Sequence, residues 1–343
     1  MIIALLFWIL LIYTFPSLAD AEDTDSRVQE IKGTNRSALV QAKHGLFLVN
    51  TKDNVIGKSL MAYGEWSERE VDLFRVILRE NDVVFDVGAN IGAFSVPLSK
   101  MVGPRGTLVC FEPLRHLSQI LAANLALNEL TNAYVKNIAL SKESGFVPVP
   151  LFDYGEKGNY GAYSLLQQQE WSRVLHENVQ LGVMDDYLSF VGNVCPRLIK
   201  VDVEGMELDV LKGATNLFQE CSPVLHLENN CIKDSPLVLE YLANDLGYDK
   251  IYWDIHVIYQ PNNYFGLKED VISSGPIPAM SINIVALRSA TTVGGADILH
   301  WIESKGMVQI DLSKGPYSSD YTIPVGEDLM IITQLGDDES CTR

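Results

Sequence analysis

Val83-Val84-Phe85-Asp86-Val87-Gly88-Ala89-Asn90-Ile91-Gly92 is the stretch on which the reading turns. Val83 to Val87 has the near-continuous apolar character of a strand buried on both faces. Gly88 and Gly92 suit a tight turn in which no Cβ blocks a close approach of the backbone, and a helix follows through about Lys100. The start of such a helix favours an anion, because its unpaired N–H groups and positive dipole end point there. Thr107 to Phe111 forms a second strand, and Glu112 ends it 20 residues beyond Gly92. A carboxylate in that position accepts hydrogen bonds from the two hydroxyls of a ribose. Strand, glycine turn, helix and acid together point to a nucleoside-containing cofactor at the carboxyl edge of a sheet.

The same alternation extends in both directions. Ser67-Glu68-Arg69-Glu70 has the form of a capping box, opening a helix with Val71, Phe74 and Leu78 on one face. Pro113 suits a first helical position, with Leu114, Leu117, Leu121 and Leu125 as the inward stripe. Ala133 to Ala139, Leu198 to Asp202 and Pro223 to Glu228 read as the third, fourth and fifth strands. Ser235, Pro236 and Gly247 bracket a further helix, and Lys250 to Tyr259 and Ser281 to Leu287 close the set. The pattern predicts an α/β fold: a doubly wound, Rossmann-like, mostly parallel seven-stranded sheet with helices on both faces. Residues 145–180 interrupt it, are rich in Gly, Tyr and Gln, and are the expected acceptor wall. The chain divides into a leader (1–19), an N-terminal extension (20–62), the α/β domain (63–288) and a C-terminal extension (289–343).

Composition sets outer limits. A formal net charge of −18, from 26 basic and 44 acidic residues, disfavours nucleic acid or an anionic membrane as a partner held by the overall field. Met1 to Phe15 is almost wholly apolar, and Pro16-Ser17-Leu18-Ala19 supplies small residues of cleavage-site type. The run is short of the about 20 residues a spanning helix needs and suits a signal-peptide core. A secreted or secretory-pathway protein is the first reading. A membrane anchor formed by residues 2–16, the protein's one membrane contact, is the alternative. Asn35-Arg36-Ser37 has the form of a glycosylation acceptor. Cys110 lies in an apolar run and reads as a buried thiol. Cys195 and Cys221 each precede a strand, and if those strands are parallel neighbours a disulfide is feasible. Cys231 and Cys341 are left over.

The turn reads G-x-N-x-G, which departs from the G-x-G-x-x-G of dinucleotide sites. The order of the pieces resembles a class I S-adenosylmethionine-dependent methyltransferase, and more narrowly the FkbM family. The resemblance rests on Tyr63-Gly64-Glu65-Trp66, the Asp86 to Gly92 turn, Phe111-Glu112-Pro113 and Lys200-Val201-Asp202-Val203-Glu204-Gly205-Met206-Glu207. Asn263-Tyr264-Phe265 and Ser281-Ile282-Asn283 add to it, so that it covers roughly residues 45 to 288. It implies S-adenosyl-L-methionine as cofactor, with Asp86, Gly88, Asn90 and Gly92 around the methionine part. Glu112 would hold the ribose, and the backbone around Ala139 would border the adenine. Tyr63 or Trp66 would offer a ring face to the sulfonium or pack in the core. The implied reaction is O-methylation of a hydroxyl on a sugar or small metabolite.

A hydroxyl acceptor must lose its proton, so a base belongs near the end of the fourth strand. Asp202 is best placed; Glu204 and Glu207 follow within a turn, where carboxylates are favoured in any case. His256 alternates with Asp254 on the sixth strand and is a further catalytic candidate, whereas His226 reads as core. Asp202, Glu228 and Asn229 offer oxygen ligands to a divalent cation, a secondary reading; no histidine spacing suits zinc. An NAD-dependent oxidoreductase and a catalytically inactive methyltransferase-fold binding module stand as alternatives. The expected partner is a small-molecule or glycan acceptor, not nucleic acid.

Overall fold

The computed structural model describes residues 27–166, 174–229, 235–273 and 278–311, with two further strands at Thr322–Val325 and Asp328–Ile331. The leader, Cys231 and Cys341 lie outside the described residues. Strands β1 (Val28–Glu30), β2 (Ser37–Ala42) and β3 (Gly45–Asn50) come first, then helices α1 (Ile56–Tyr63) and α2 (Glu68–Ile77). The predicted alternation follows as β4 (Val83–Val87), α3 (Ser95–Val102), β5 (Thr107–Phe111), α4 (Arg115–Leu127) and β6 (Ala133–Lys136). Strands β7 (Ala139–Leu140), β8 (Gly145–Pro150) and β9 (His176–Gly182) form a small separate sheet. The chain continues through α5 (Asp186–Phe190), β10 (Leu198–Val201), α6 (Glu207–Lys212), α7 (Thr215–Glu220) and β11 (Val224–Glu228). Next come α8 (Ser235–Glu240), β12 (Lys250–Val257), β13 (Met280–Leu287), α9 (Gly295–Ser304) and β14 (Val308–Gln309).

The main sheet runs in the order β14-β12-β13-β11-β10-β4-β5-β6. From β11 to β6 all neighbours are parallel, while β13 lies antiparallel between β11 and β12. The predicted α/β architecture is present, but the sheet has eight strands and not seven. The extra one, β14, is two residues long, too short to leave an alternating signal. Alternation along β5 shows the double winding: Leu108 and Cys110 join a core with α2, α3, α4 and α9, whereas Val109 and Phe111 join one with α6, α7 and α8. After β6 the chain returns to the far side of β4 to form β10, so the connections leaving the paired carboxyl ends of β4 and β10 run in opposite directions. Ligands of open α/β sheets bind at such a switch point.

Two predicted boundaries shift. Ile298 and Ile302 of α9 are fully buried in the same core as Phe74 of α2, so the domain runs to about Ile310 and does not stop at 288. The opening strands also belong to it: Ala38, Val40, Phe47 and Val49 share that core. The exposed edge of β3 is paired by side chains one turn apart on α4. Asn124 accepts from the N–H of Leu48 at 2.6 Å and donates to its carbonyl at 3.1 Å. Asn128 accepts from Leu46 N–H at 3.1 Å and donates to its carbonyl at 2.7 Å. Asn124 also donates to Ile91 O at 2.8 Å, tying this layer to the glycine turn.

Cys195 and Cys221 form a disulfide with a Cα–Cα distance of 5.4 Å, just before the parallel neighbours β10 and β11. Cys110 is buried and free. The capping-box expectation needs correction. Ser67 takes a left-handed conformation (φ 42°) and makes no side-chain cap to the helix; its hydroxyl donates to the Glu70 carboxylate at 2.7 Å instead.

Asn124→Ala strips three backbone groups, one buried and two half-buried, of their partner at once. It should cost about 2–4 kcal/mol of unfolding free energy, read as a lower urea midpoint with an unchanged m-value.

Candidate active site

A cavity of about 950 Å³ opens at the switch point, at the top of the usual range for ligand sites. Of the residues named from sequence, Gly88, Asn90, Glu112, Ala139, Asp202, Glu204 and Glu228 line it. Asp86, Gly92, His256 and Asn229 do not, and each has another role.

Glu112 is buried, and its two oxygens bridge two turns. Oε2 accepts from Asn90 N–H at 2.8 Å and Oε1 from Leu114 N–H at 2.8 Å. Each oxygen keeps a lone pair for a further donor. Burial raises the carboxyl to about 7 although both backbone N–H groups favour the charged form. Asn90 is itself left-handed (φ 50°), which asparagine tolerates because its side chain satisfies the local backbone; here Oδ1 accepts from Ile91 N–H at 2.8 Å. Gly88 has φ 79°, and a Cβ there would stand 1.7 Å from the carbonyl oxygen of Asp202. The glycine is thus required by the approach of β10 as well as by the turn. Gly92 (φ 87°) packs against Leu121 of α4, where a Cβ would stand 2.7 Å from the leucine methyl.

Asp86 lies beneath the cavity and is held by its neighbours. Its Oδ2 accepts from Ser95 Oγ at 2.6 Å, and its Oδ1 lies 3.7 Å from Nζ of Lys200. Lys200 lines the cavity floor and donates to Asp202 Oδ2 at 3.1 Å. Burial works against its charge, but Asp202 and Asp86 outweigh that, and the ammonium is held above its ordinary value. Lys200 stands within the Lys200 to Glu207 motif, where sequence alone assigns it no role. Its only signal was a charged residue inside an apolar strand.

Asp202, Glu204 and Glu228 bring one carboxyl oxygen each within 4.8 Å of one another. Asn229, expected beside them, turns away and donates to Ser235 Oγ at 2.6 Å; Glu204 takes its place in the group. Burial, then the charges of Asp202 and Glu207, raise Glu204 to about 8. Burial raises Glu228 well above the usual carboxylate range. At neutral pH the group therefore carries fewer charges than carboxyls. Glu207 accepts from Gly205 N–H at 3.1 Å and Val203 N–H at 3.3 Å, which fixes the loop.

The predicted acceptor wall contributes Asn159 and Gly161 to Leu166. A Cβ on Gly161 would meet the Asn90 amide at 2.0 Å, so the wall docks directly on the glycine turn. Ala139 reaches the cavity from β7 and not from the end of a long third strand. Asn137 donates to the carbonyls of Glu112 (2.8 Å) and Pro113 (2.9 Å), and main-sheet pairing ends at Lys136. Trp66 lines the cavity, whereas Tyr63 is core, donating to Asp270 at 2.9 Å. His256 sits behind Ser67 and Glu70: its Nε2 lies 2.8 Å from Ser67 Oγ, and Glu70, which sequence alone does not mark as functional, is the cavity-lining member of that group. Tyr63-Gly64-Glu65-Trp66 and Asn263-Tyr264-Phe265 prove to be one contact, since Glu65 Oε2 accepts from Tyr264 N–H at 2.9 Å.

Residues 86–250 match the family described as Methyltransferase FkbM domain. Methyltransferase sdnD of Sordaria araneosa is 30% identical over 201 residues, covering 50% of this chain and 75% of that protein. The chain belongs to the FkbM methyltransferase family. Hexuronic acid methyltransferase AglP of Haloferax volcanii is 30% identical over 166 residues, 46% of this chain and 61% of its own length. A solved structure, Methyltransferase FkbM from Methylobacillus flagellatus KT, aligns at 18% identity and a TM-score of 0.39, over 60% of this chain and 43% of that one. The family sets the chain among methyltransferases and not among nicotinamide oxidoreductases.

The raised carboxyls make stability pH-dependent. Glu112, Glu204 and Glu207 bind their protons more tightly when folded than the ordinary value of 4.5 allows. Their contribution is present below pH 4.5 and is lost as pH rises through about 7 to 8. Urea midpoints of the free protein should therefore fall from pH 5 to pH 8.5. Glu204→Gln should flatten the slope by up to about 1 kcal/mol per pH unit between pH 6.5 and 8.5.

Proposed function

We propose that the protein is an S-adenosylmethionine-dependent methyltransferase acting on a hydroxyl of a sugar or small metabolite. The observation that carries this is Glu112, which spans the turns after β4 and β5 and keeps a lone pair on each oxygen beside Gly88 and Ala139. That set suits a ribose with its base toward Ala139 and Leu140 and its other end toward Ala89 and Asn90. When bound, the donor supplies an electrophilic methyl group on a sulfonium. The chain's own part is largely positional: the turn, Glu112 and the wall from Asn159 to Leu166 hold donor and acceptor in line, which removes much of the barrier. Asp202, fixed by Lys200, and Glu204 form the floor between the two. The name of the relative AglP, a hexuronic acid methyltransferase, supports the sugar class of the acceptor and not its charge.

The apolar leader supports entry to the secretory pathway, with residues 2–16 as an anchor if uncleaved. The Cys195–Cys221 bridge supports an oxidising compartment, and the exposed Asn35 is accessible for glycosylation.

Titration calorimetry of the chain with S-adenosylmethionine, S-adenosylhomocysteine and NAD tests the reading. The first two should bind, and Glu112→Ala should weaken them about 10- to 100-fold, the worth of hydrogen bonds to a charged group. Affinity should rise from pH 6 to pH 8 as Glu112 gives up its proton. Binding of NAD alone would contradict the assignment, and silence for all three in a folded sample would favour the inactive binding module.

A further inference from the structure

We propose that Glu70 is the base that receives the acceptor's proton, and that the acceptor is an uncharged molecule presenting a hydroxyl. This rests on the methyl-transfer reading above.

Glu70 lies in the first turn of α2, buried, and lines the cavity together with Trp66 and Ser281. Its Oε1 is pinned by two hydroxyl donors, Ser67 at 2.7 Å and Ser281 at 2.8 Å. Oε2 accepts no hydrogen bond among the described residues and lies 3.7 Å from His226 Nε2. One oxygen is therefore held and the other is left for an incoming O–H. The support behind it is rigid. Ser67 spends its proton on Glu70, so it accepts the Nε2–H of His256 at 2.8 Å. His256 Nδ1 is 3.4 Å from Asp254 Oδ1, which Arg69 Nε approaches to 3.2 Å. Asp254 also faces His226 Nε2 at 3.4 Å. His256 is thus a positioning residue acting through Ser67, and it does not touch the cavity itself.

The other carboxyls are committed. Glu112 serves the ribose, Asp202 is tied to Lys200, and Glu204 and Glu228 face one another and Asp202 in the acid group of the floor. Lys200 is the only cationic side chain among the described residues lining the cavity, and Asp202 and Asp86 flank it. An acceptor carboxylate or phosphate would lose its water and gain no unpaired cationic side chain in exchange. Neutral hydroxyls meet Ser164, Ser281 and Asn283 instead. In the transfer, a lone pair of the acceptor oxygen forms the new O–C bond. The S–C bond breaks with its electron pair left on sulfur, and the hydroxyl proton passes to Glu70 Oε2.

Ligand-observed NMR in the presence of S-adenosylhomocysteine, with methyl glycosides of neutral hexoses and with D-glucuronate as probes, reads the binding. Mass spectrometry of methyl ethers formed with S-adenosylmethionine reads the transfer. Neutral hexosides should bind and be methylated, and glucuronate should do neither. Glu70→Gln should leave the donor affinity within twofold and hexoside binding within a few-fold. It should cut methyl-ether formation about 10²- to 10⁴-fold, with Glu70→Asp restoring part of the rate. His256→Gln should lower kcat several-fold with hexoside KM nearly unchanged and without abolishing turnover, as expected of a residue that acts through Ser67 on the orientation of Glu70. Full activity in Glu70→Gln, preferred transfer to glucuronate, or no transfer to any neutral hexoside by a protein that binds donor would each overturn the proposal. A folded protein that binds no donor would overturn the methyl-transfer reading with it.

Discussion

An ammonium group buried in the middle of an apolar parallel sheet is the constraint around which this cleft is built. Lys200 is 2% exposed on β10, and its Nζ sits between Asp86 of β4 and Asp202 at the end of its own strand. Phe94 offers a ring face with its centroid at 5.2 Å. Removing such a charge from water is costly unless partners replace the lost hydration, and here they come from the two neighbouring strands that flank the switch point. Asp86 also takes the hydroxyl of Ser95 at the first residue of α3. One ion group thereby fixes two strand ends, the start of a helix and the cavity floor.

The crowd of acids follows from the same need. Asp202 is drawn to Lys200, and the loop after it, steadied by Glu207, brings Glu204 beside Glu228. A single lysine cannot neutralise that many carboxyls, so burial leaves several of them protonated at neutral pH. The cavity is therefore rich in groups that donate and accept hydrogen bonds and poor in free charge. That balance suits a cationic donor on one side and hydroxyls on the other.

Sequence alone disclosed the β4 strand, its glycine turn and Glu112 because each has a local signature: an apolar run, residues tolerant of positive φ, and an acid at fixed spacing. The Cys195–Cys221 bridge was legible through the strands that follow both cysteines. What escaped depends on contacts distant in sequence. Asn124 and Asn128 read as polar positions on an amphipathic helix, yet they close the edge of β3. Asn229 shares the strand end with Glu228, but Ser235 turns it out of the site. His256 was visible as a candidate, and its separation from the cavity by Ser67 and Glu70 was not, because Ser67-Glu68-Arg69-Glu70 looks locally like a helix cap. The left-handed backbone of Ser67 redirects that hydroxyl, and nothing in the local pattern announces it.

The most direct measurement is a crystal structure of the protein grown with S-adenosylhomocysteine. The account predicts both ribose hydroxyls on Glu112, the adenine against Ala139 and Leu140, and the sulfur above the floor formed by Asp202 and Glu204. A nucleoside bound elsewhere, or in this cavity with Glu112 contacting only its own backbone donors, would contradict it.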